Sequence, residues 1–197
     1  MTKTDLIMEM AMNNNGIVTT EMVVKAGVSR GNLKYLVDKG RLEQATRGVY
    51  TLPEVWEDEF INLQNRFKRG VYSHETALFI HDLTDRTPNA YHMTFPSTYN
   101  LTKVKRENVR CSQVGAQLHD LGIEEAVSPA GNKIYVYCIE RTLCDILIPR
   151  NQTDIQVVSE AFKRYVKRKD RDIMRLSEYA KRLKVEEKVR TYLEVLL

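Results

Sequence analysis

The chain has 197 residues and a net charge of +4, with 43% hydrophobic and 28% charged residues. This composition excludes an intrinsically disordered chain, and the length suits two compact domains. No apolar run approaches the roughly 18 residues of a membrane helix, and the first residues lack the basic and apolar regions of a signal peptide. We therefore expect a cytoplasmic protein without a membrane partner.

Charge is distributed unevenly along the chain. Residues 1–53 and 150–197 carry an excess of Lys and Arg, whereas residues 54–149 are slightly acidic. Two basic ends favour a polyanionic partner such as a nucleic acid, although they do not require one.

Residues 1–53 have the pattern of short capped helices followed by a strand pair. Thr4 is predicted to cap a first helix, and Thr20 a second one that ends at Gly27. A third helix follows Ser29 and stops at Gly40, and two short strands then surround a turn at residues 45–48. The residues predicted to face the core of this segment are Leu33, Leu36, Val37, Leu42, Val49 and Leu52.

The opposite face of the third helix is polar and basic, which an inert structural helix does not need. Three helices and a hairpin in this order predict a winged helix-turn-helix, whose third helix enters the major groove of DNA. Asn32, Lys34 and Tyr35 are placed to reach base edges, while Arg41 and Arg47 in the wing would lie along the backbone. The candidate DNA-binding residues are Ser29, Arg30, Asn32, Lys34, Tyr35, Lys39, Arg41 and Arg47. A protein-docking winged helix is the competing interpretation, and Gly31 and Asp38 count against DNA binding.

The remainder of the chain predicts a connecting helix and a second, mixed domain. The connecting helix spans residues 54–70, with Trp56, Phe60, Leu63 and Phe67 on one face. A C-terminal domain follows at residues 71–197, with a small sheet at about 88–138 and helices at about 139–197. The predicted fold class is therefore α+β, with a winged helix-turn-helix at residues 1–53.

Histidine, cysteine and carboxylate residues were considered as metal or catalytic groups. His81-Asp82 and His119-Asp120 each lack a second ligand at helical spacing, so we interpret them as capping or surface groups. Arg141 and Asp145 are an i, i+4 pair that we interpret as structural, worth about 0.2–0.5 kcal/mol if exposed. The cysteines are Cys111, Cys138 and Cys144, without any C-x-x-C spacing. We expect small buried thiols and no metal site.

A second group of basic residues lies near the C-terminus, between predicted helices. These candidate phosphate contacts are Lys163, Arg164, Lys167, Arg168 and Lys169. A solvated helix end and a second phosphate-binding patch explain this group equally well.

Taken in order, several segments give the chain a resemblance to the AbiEi family of antitoxins of type IV toxin–antitoxin modules, which are linked to abortive phage infection. The segments are RGVYTLP, YSHETALFIHDL, CIERTLCDIL and DIMRLSEYAKRLKVEEKVRTYLEVL. The resemblance implies repression of the chain's own operon through inverted repeats at the promoter. It also implies neutralisation of a nucleotidyltransferase toxin without a stable complex. No catalytic residue or cofactor carries over, so we expect no enzyme; the recognition helix from Ser29 to Lys39 and the wing from Arg41 to Thr51 do carry over.

Two alternatives remain at this stage. One is a ligand-responsive winged-helix repressor without an antitoxin role, in which the middle of the chain binds a small molecule. The other is a metal-dependent nucleic-acid enzyme that uses the His-Asp pairs or Arg141 and Asp145. A neighbouring nucleotidyltransferase gene would argue against the first, and nuclease or phosphatase activity would support the second.

Overall fold

The computed structural model describes residues 2–54 and 58–197, which form two compact units. The first unit comprises Met1–Lys68 and Val127–Ile134, apart from the residues outside the described ranges; the second comprises Arg69–Ala126 and Tyr135–Leu197. Both units contain helices and strands, which confirms the predicted α+β class.

The first unit begins with helices and a small antiparallel sheet. Its elements are α1 (Lys3–Met12), β1 (Ile17–Thr19), α2 (Thr20–Lys25), α3 (Gly31–Asp38), β2 (Glu43–Thr46), β3 (Val49–Thr51) and α4 (Glu59–Arg66). The strands are ordered β1-β3-β2, with both pairings antiparallel. The predicted hairpin is β2 and β3, and the additional strand β1 pairs with β3.

Two of the predicted helix caps were wrong in position. Thr2, not Thr4, caps α1: its hydroxyl accepts from the Asp5 N–H while Asp5 accepts from the Thr2 N–H. Thr19, not Thr20, caps α2 by accepting from the Met22 N–H. In each case the capping threonine is the last extended residue before the helix. A second threonine follows one or two residues later, so the sequence alone does not show which of the two is the cap. Gly27 has φ +72°, the left-handed conformation predicted for the end of α2.

The core of the first unit confirms the predicted phase of α3. Leu33 and Leu36 are buried with Ile7 and Ala11 of α1, and Val37 packs against the same cluster from a half-buried position. Leu42 and Val49 are buried and Leu52 is half-buried, as the strand pattern predicts. The polar side of α3 therefore faces away from the core of this unit.

The predicted connecting helix is shorter than expected, because Asp58 begins α4. The Asp58 carboxylate accepts from the Phe60 and Ile61 N–H groups, and also from the Ser128 hydroxyl and the Asn132 amide (2.8 Å for Asn132). Trp56 lies outside the described residues.

Those last two bonds explain why Val127–Ile134 belongs to the first unit. Asn15 adds to them by donating to the carbonyl oxygen of Gly131 at 2.6 Å. The boundary between the compact units thus lies between Lys68 and Arg69, and the segment 127–134 also belongs to the first unit. The sequence-based boundaries were placed at residues 53 and 70.

The second unit combines a mixed sheet with a helical cluster. Its elements are β4 (Val71–Tyr72), α5 (His74–Ile80), β5 (Tyr91–Pro96), β6 (Val109–Val114), α6 (Ala116–His119), β7 (Ile123–Val127), β8 (Lys133–Tyr137), α7 (Ile139–Leu147), α8 (Ile155–Tyr165), α9 (Ile173–Arg182) and α10 (Glu186–Leu196). The strand order is β6-β5-β4-β8-β7. The sheet begins at Val71 and not near residue 88, because the short β4 lies between β5 and β8, antiparallel to the former and parallel to the latter.

The Arg141–Asp145 pair lies in the interior of the second unit. Arg141 is 0% exposed, and its Nε donates to both Asp145 carboxylate oxygens at 3.0 and 3.1 Å. Arg141 Nη1 donates to the carbonyl oxygens of Leu118 and Leu121, and the guanidinium lies 4.4 Å from the ring centroid of Tyr137. The pair is buried, so the small energy expected for an exposed i, i+4 pair does not apply to it.

Candidate nucleic-acid interface

The exposed face of α3 carries most of the predicted base-contacting residues. Lys34, Tyr35 and Lys39 are exposed, and Tyr35 keeps 52% of its surface accessible. The ammonium of Lys39 lies 5.8 Å from the Tyr35 ring centroid, within the range of a cation–π contact. This face therefore offers two ammonium groups and an aromatic ring on one surface.

Two of the predicted contacts, Ser29 and Asn32, already form hydrogen bonds at the start of α3. The Ser29 hydroxyl accepts from the Gly31 N–H at 3.3 Å, and the Asn32 amide donates to the Ser29 carbonyl at 3.1 Å. Asn32 is half-buried and has one remaining amide N–H and its oxygen for a base edge. The structure thus gives Ser29 and Asn32 a role in starting α3, beside any contact with DNA.

Arg41 and Arg47 lie on different parts of the first unit. Hydrogen bonds from Thr2 hold the pKa of Asp5 below its usual range, and the charge of Arg41 contributes to the same shift. Arg41 lies just after α3, where its N–H donates to the Leu36 carbonyl oxygen at 2.9 Å, whereas Arg47 lies in the turn between β2 and β3. Both side chains are exposed.

A cleft of about 350 Å³ brings Arg47 together with Arg30. The other charged residues that line it are Lys25 at the end of α2, Lys68 after α4, and Glu21 of α2. Sequence analysis missed these last three because they lie in segments without a shared motif. Only the fold of the first unit brings Arg30 and Arg47 close to these three residues.

Glu21 forms the ion pairs of this cleft. Its carboxylate accepts from Lys68 and lies 3.0 Å from the ammonium of Lys25. The Lys68 hydrogen bond, followed by that of Lys25, lowers the pKa of Glu21 to about 2. The described residues provide no ion pair or side-chain hydrogen bond for Arg30 or Arg47.

The candidate phosphate contacts of the second unit divide into paired and unpaired residues. Arg164 forms ion pairs with Asp85 and Glu160, and Arg168 binds Asp170 with bonds of 2.9 and 2.8 Å. Lys163, Lys167 and Lys169 are exposed, and no ion pair of theirs is found in the described part of the chain. The free positive charge of this group is therefore carried by lysines.

The histidines considered as metal ligands bind backbone carbonyls instead. His81 Nε2 donates to the Tyr137 carbonyl at 2.8 Å, and His119 Nε2 donates to the Arg69 carbonyl at 3.0 Å. Within residues 2–54 and 58–197, no group of three or more His, Cys, Asp or Glu side chains is arranged to hold a metal ion. Cys138 and Cys144 are buried and Cys111 is half-buried. No helix in the same ranges is both long enough and apolar enough to cross a membrane.

Comparison with known proteins supports the sequence resemblance in one segment. Residues 5–53 match the family described as "Transcriptional regulator, AbiEi antitoxin", which confirms the predicted resemblance there. The chain also resembles the crystal structure of the RV2827C protein from Mycobacterium tuberculosis, with a TM-score of 0.56 and 15% identity. The matched region covers 92% of this chain and 72% of that one. At this identity the likeness concerns the fold, and none of the curated proteins matches the sequence.

Proposed function

We propose that the chain is a winged helix-turn-helix repressor that binds inverted repeats in its own promoter. The observation that carries the proposal is the exposed basic face of α3, in a segment that matches a transcriptional regulator family. In a winged helix such a face enters the major groove, while the wing between β2 and β3 follows the phosphate backbone. The proposal also assigns the chain a binding role and no catalytic one.

We further propose that it acts as a type IV antitoxin. The support is the match of residues 5–53 to a family described by that role, together with the resemblance of the later segments. The test is co-expression with a nucleotidyltransferase encoded beside this chain. We expect growth to be restored while the two proteins do not copurify. Toxicity that persists at high levels of the folded chain would leave a repressor without an antitoxin role.

Lys34→Ala should separate base recognition from positioning. We expect it to weaken binding to the promoter fragment by about 1–3 kcal/mol and binding to a random duplex much less, because Lys34 contacts a base edge. Arg47→Ala should weaken both duplexes by the same factor, because a phosphate contact carries no sequence information. The measurement is fluorescence anisotropy of the full chain on both duplexes.

The control for this pair is Lys103→Ala, which removes the same charge from an exposed position of the second unit. It should leave both affinities unchanged. Equal losses on both duplexes for Lys34→Ala would show that α3 only positions the protein, and sequence recognition would then lie elsewhere.

The C-terminal basic group gives a second test. Neutralising Lys163 and Lys167 together with glutamine should make the log–log dependence of affinity on salt shallower by up to about 1.8, since each phosphate contact on duplex DNA contributes roughly 0.9. Arg168→Gln should leave the slope unchanged, because Asp170 already neutralises that guanidinium. If the double variant keeps the parental slope, these lysines are solvated and do not contact phosphates.

A further inference from the structure

The cleft beside the wing has a strong excess of positive charge. Its charged lining consists of Lys25, Arg30, Arg47 and Lys68 against the single carboxylate of Glu21. With a volume of about 350 Å³ the cleft is far larger than the space that one water molecule needs, so an anionic group with part of its hydration shell fits. Like charges this close repel one another, and a bound anion would relieve that repulsion.

The position of Arg47 at this cleft is fixed by the backbone. The Thr20 N–H donates to the carbonyl oxygen of Gly48 at 2.9 Å, which joins the wing turn to the first residue of α2. Gly48 has φ +84°, a backbone conformation that residues other than glycine rarely adopt. The wing turn therefore holds the residue before it, Arg47, over the same cleft as Arg30.

The geometry points to a binding site for one phosphodiester group of the DNA backbone in this cleft, in which Glu21 occupies the place of the phosphate until DNA binds. Arg30 immediately precedes α3, and Arg47 belongs to the wing. In the proposed DNA-binding mode, α3 and the wing are the two elements that contact the duplex, so both guanidinium groups belong to DNA-contacting segments. Duplex DNA presents phosphates at regular short intervals along that surface. The inference rests on the proposed function and adds Lys25, Lys68 and Glu21 to it.

Glu21 is well suited to act as an internal counter-ion. Its carboxylate binds Lys68 and Lys25, the two ammonium groups of the cleft, and leaves Arg30 and Arg47 without an anion among the described residues. A phosphate that enters can bind the arginines at once, but it must compete with Glu21 for Lys68. Since the pKa of Glu21 is about 2, the carboxylate stays ionised throughout the neutral range, and acidification to pH 5 does not relieve the competition.

The test measures affinity and salt dependence of the full chain on the promoter fragment and on a random duplex. Lys68→Gln should weaken binding to both by the same factor, about eightfold at 0.1 M salt, and make the salt slope shallower by about 0.9. Lys68→Arg keeps the cation and should restore most of the affinity. Glu21→Gln should tighten binding to both duplexes by up to about eightfold, because it frees a cation for the phosphate.

The matched control is Glu178→Gln, which removes a carboxylate from another exposed i, i+4 pair, with Arg182 at 2.9 Å. It should change neither affinity nor slope. Thermal melting checks that every variant folds like the parent.

Parental affinity and slope for both Lys68→Gln and Glu21→Gln, in a chain that binds its promoter, would overturn the site but leave the proposed function standing. Absence of binding to either duplex at low salt would overturn both. If the two variants change the binding of inorganic phosphate in calorimetry but not that of DNA, the cleft serves a free phosphate, and the inference about DNA fails.

Discussion

Arg141→Met should lower the free energy of unfolding by about 3–5 kcal/mol at neutral pH, because it leaves a buried carboxylate without its counter-ion. Asp145 is 3% exposed, and Arg141 Nε donates to both oxygens of its carboxylate. The same change removes the donor for the carbonyl oxygens of Leu118 and Leu121. Chemical denaturation of the full chain, followed by circular dichroism, measures the loss.

The loss of stability caused by Arg141→Met should be smaller in acid, because Asp145 is then protonated. Burial raises the pKa of Asp145 to about 6 in spite of the opposing charge of Arg141. A raised pKa in the folded state means that the protonated form is the more easily buried, so stability falls as the pH rises through the folded pKa. Without Arg141 that pKa rises further. The difference between Arg141→Met and the parent should therefore be smaller at pH 5 than at pH 8.

An exposed pair of the same spacing provides the control. Glu178 and Arg182 in α9 are 2.9 Å apart and largely exposed, so Arg182→Met should cost about 0.5 kcal/mol or less. Replacing both buried partners, as Arg141→Met with Asp145→Leu, should recover much of the loss. A cost below about 1 kcal/mol for Arg141→Met alone would contradict the buried-pair account.

The contrast between these two pairs shows what spacing alone can predict. The i, i+4 relation of Arg141 and Asp145 is visible in the sequence, and so are the apolar residues around them. What the sequence does not show is that α7 is buried along its whole length from Glu140 to Leu147. Burial on all sides depends on α5, α8 and α9, which pack against α7 from distant parts of the chain.

The candidate interface also has one part that the sequence predicts and one part that it does not. The exposed face of α3 follows from Leu33 and Leu36 alone, because helical periodicity fixes which side chains point outward. The cleft is different, since Lys25 at the end of α2 and Lys68 after α4 share no local signal. Its members are brought together by tertiary packing, and a single sequence carries no trace of that proximity.

The loop at residues 127–134 is a further case. It connects β7 to β8, and the polar residues of such a turn are normally assigned to solvent. Ser128 and Asn132 instead bind the buried carboxylate of Asp58, about 70 residues earlier in the chain. Such a bond between two polar segments leaves no hydrophobic pattern from which it could be predicted.

His74→Asn should remove much of the acid sensitivity of the second unit. His74 is buried at the start of α5, where its Nδ1 lies 2.9 Å from the Ser73 hydroxyl and its ring lies 5.2 Å from that of His92. Burial lowers the pKa of His74 to about 4, and a hydrogen bond from the imidazole to the Asn151 side chain opposes that shift. Asparagine suits the position, because residue 74 has φ +52° and asparagine tolerates the left-handed region.

The direction of the effect follows from proton binding in the two states. In the unfolded chain His74 takes up a proton near pH 6.5, but in the folded chain it does so only near pH 4. Between these values the unfolded state binds more protons, so stability falls as the pH is lowered. The full difference corresponds to about 3 kcal/mol, at about 1.4 kcal/mol per pH unit.

His92, whose pKa burial lowers to about 3, acts in the same direction, whereas Asp145 acts in the opposite one. The measurement is therefore the difference between parent and His74→Asn, taken by denaturation at half-unit steps from pH 7.5 to pH 4. At pH 7.5 the histidine is neutral in both states, so the difference there reports packing alone. Below pH 6.5 the parent should lose stability faster than the variant. Parallel curves over the whole range would show that His74 accepts its proton without unfolding, and the acid sensitivity would then belong to His92.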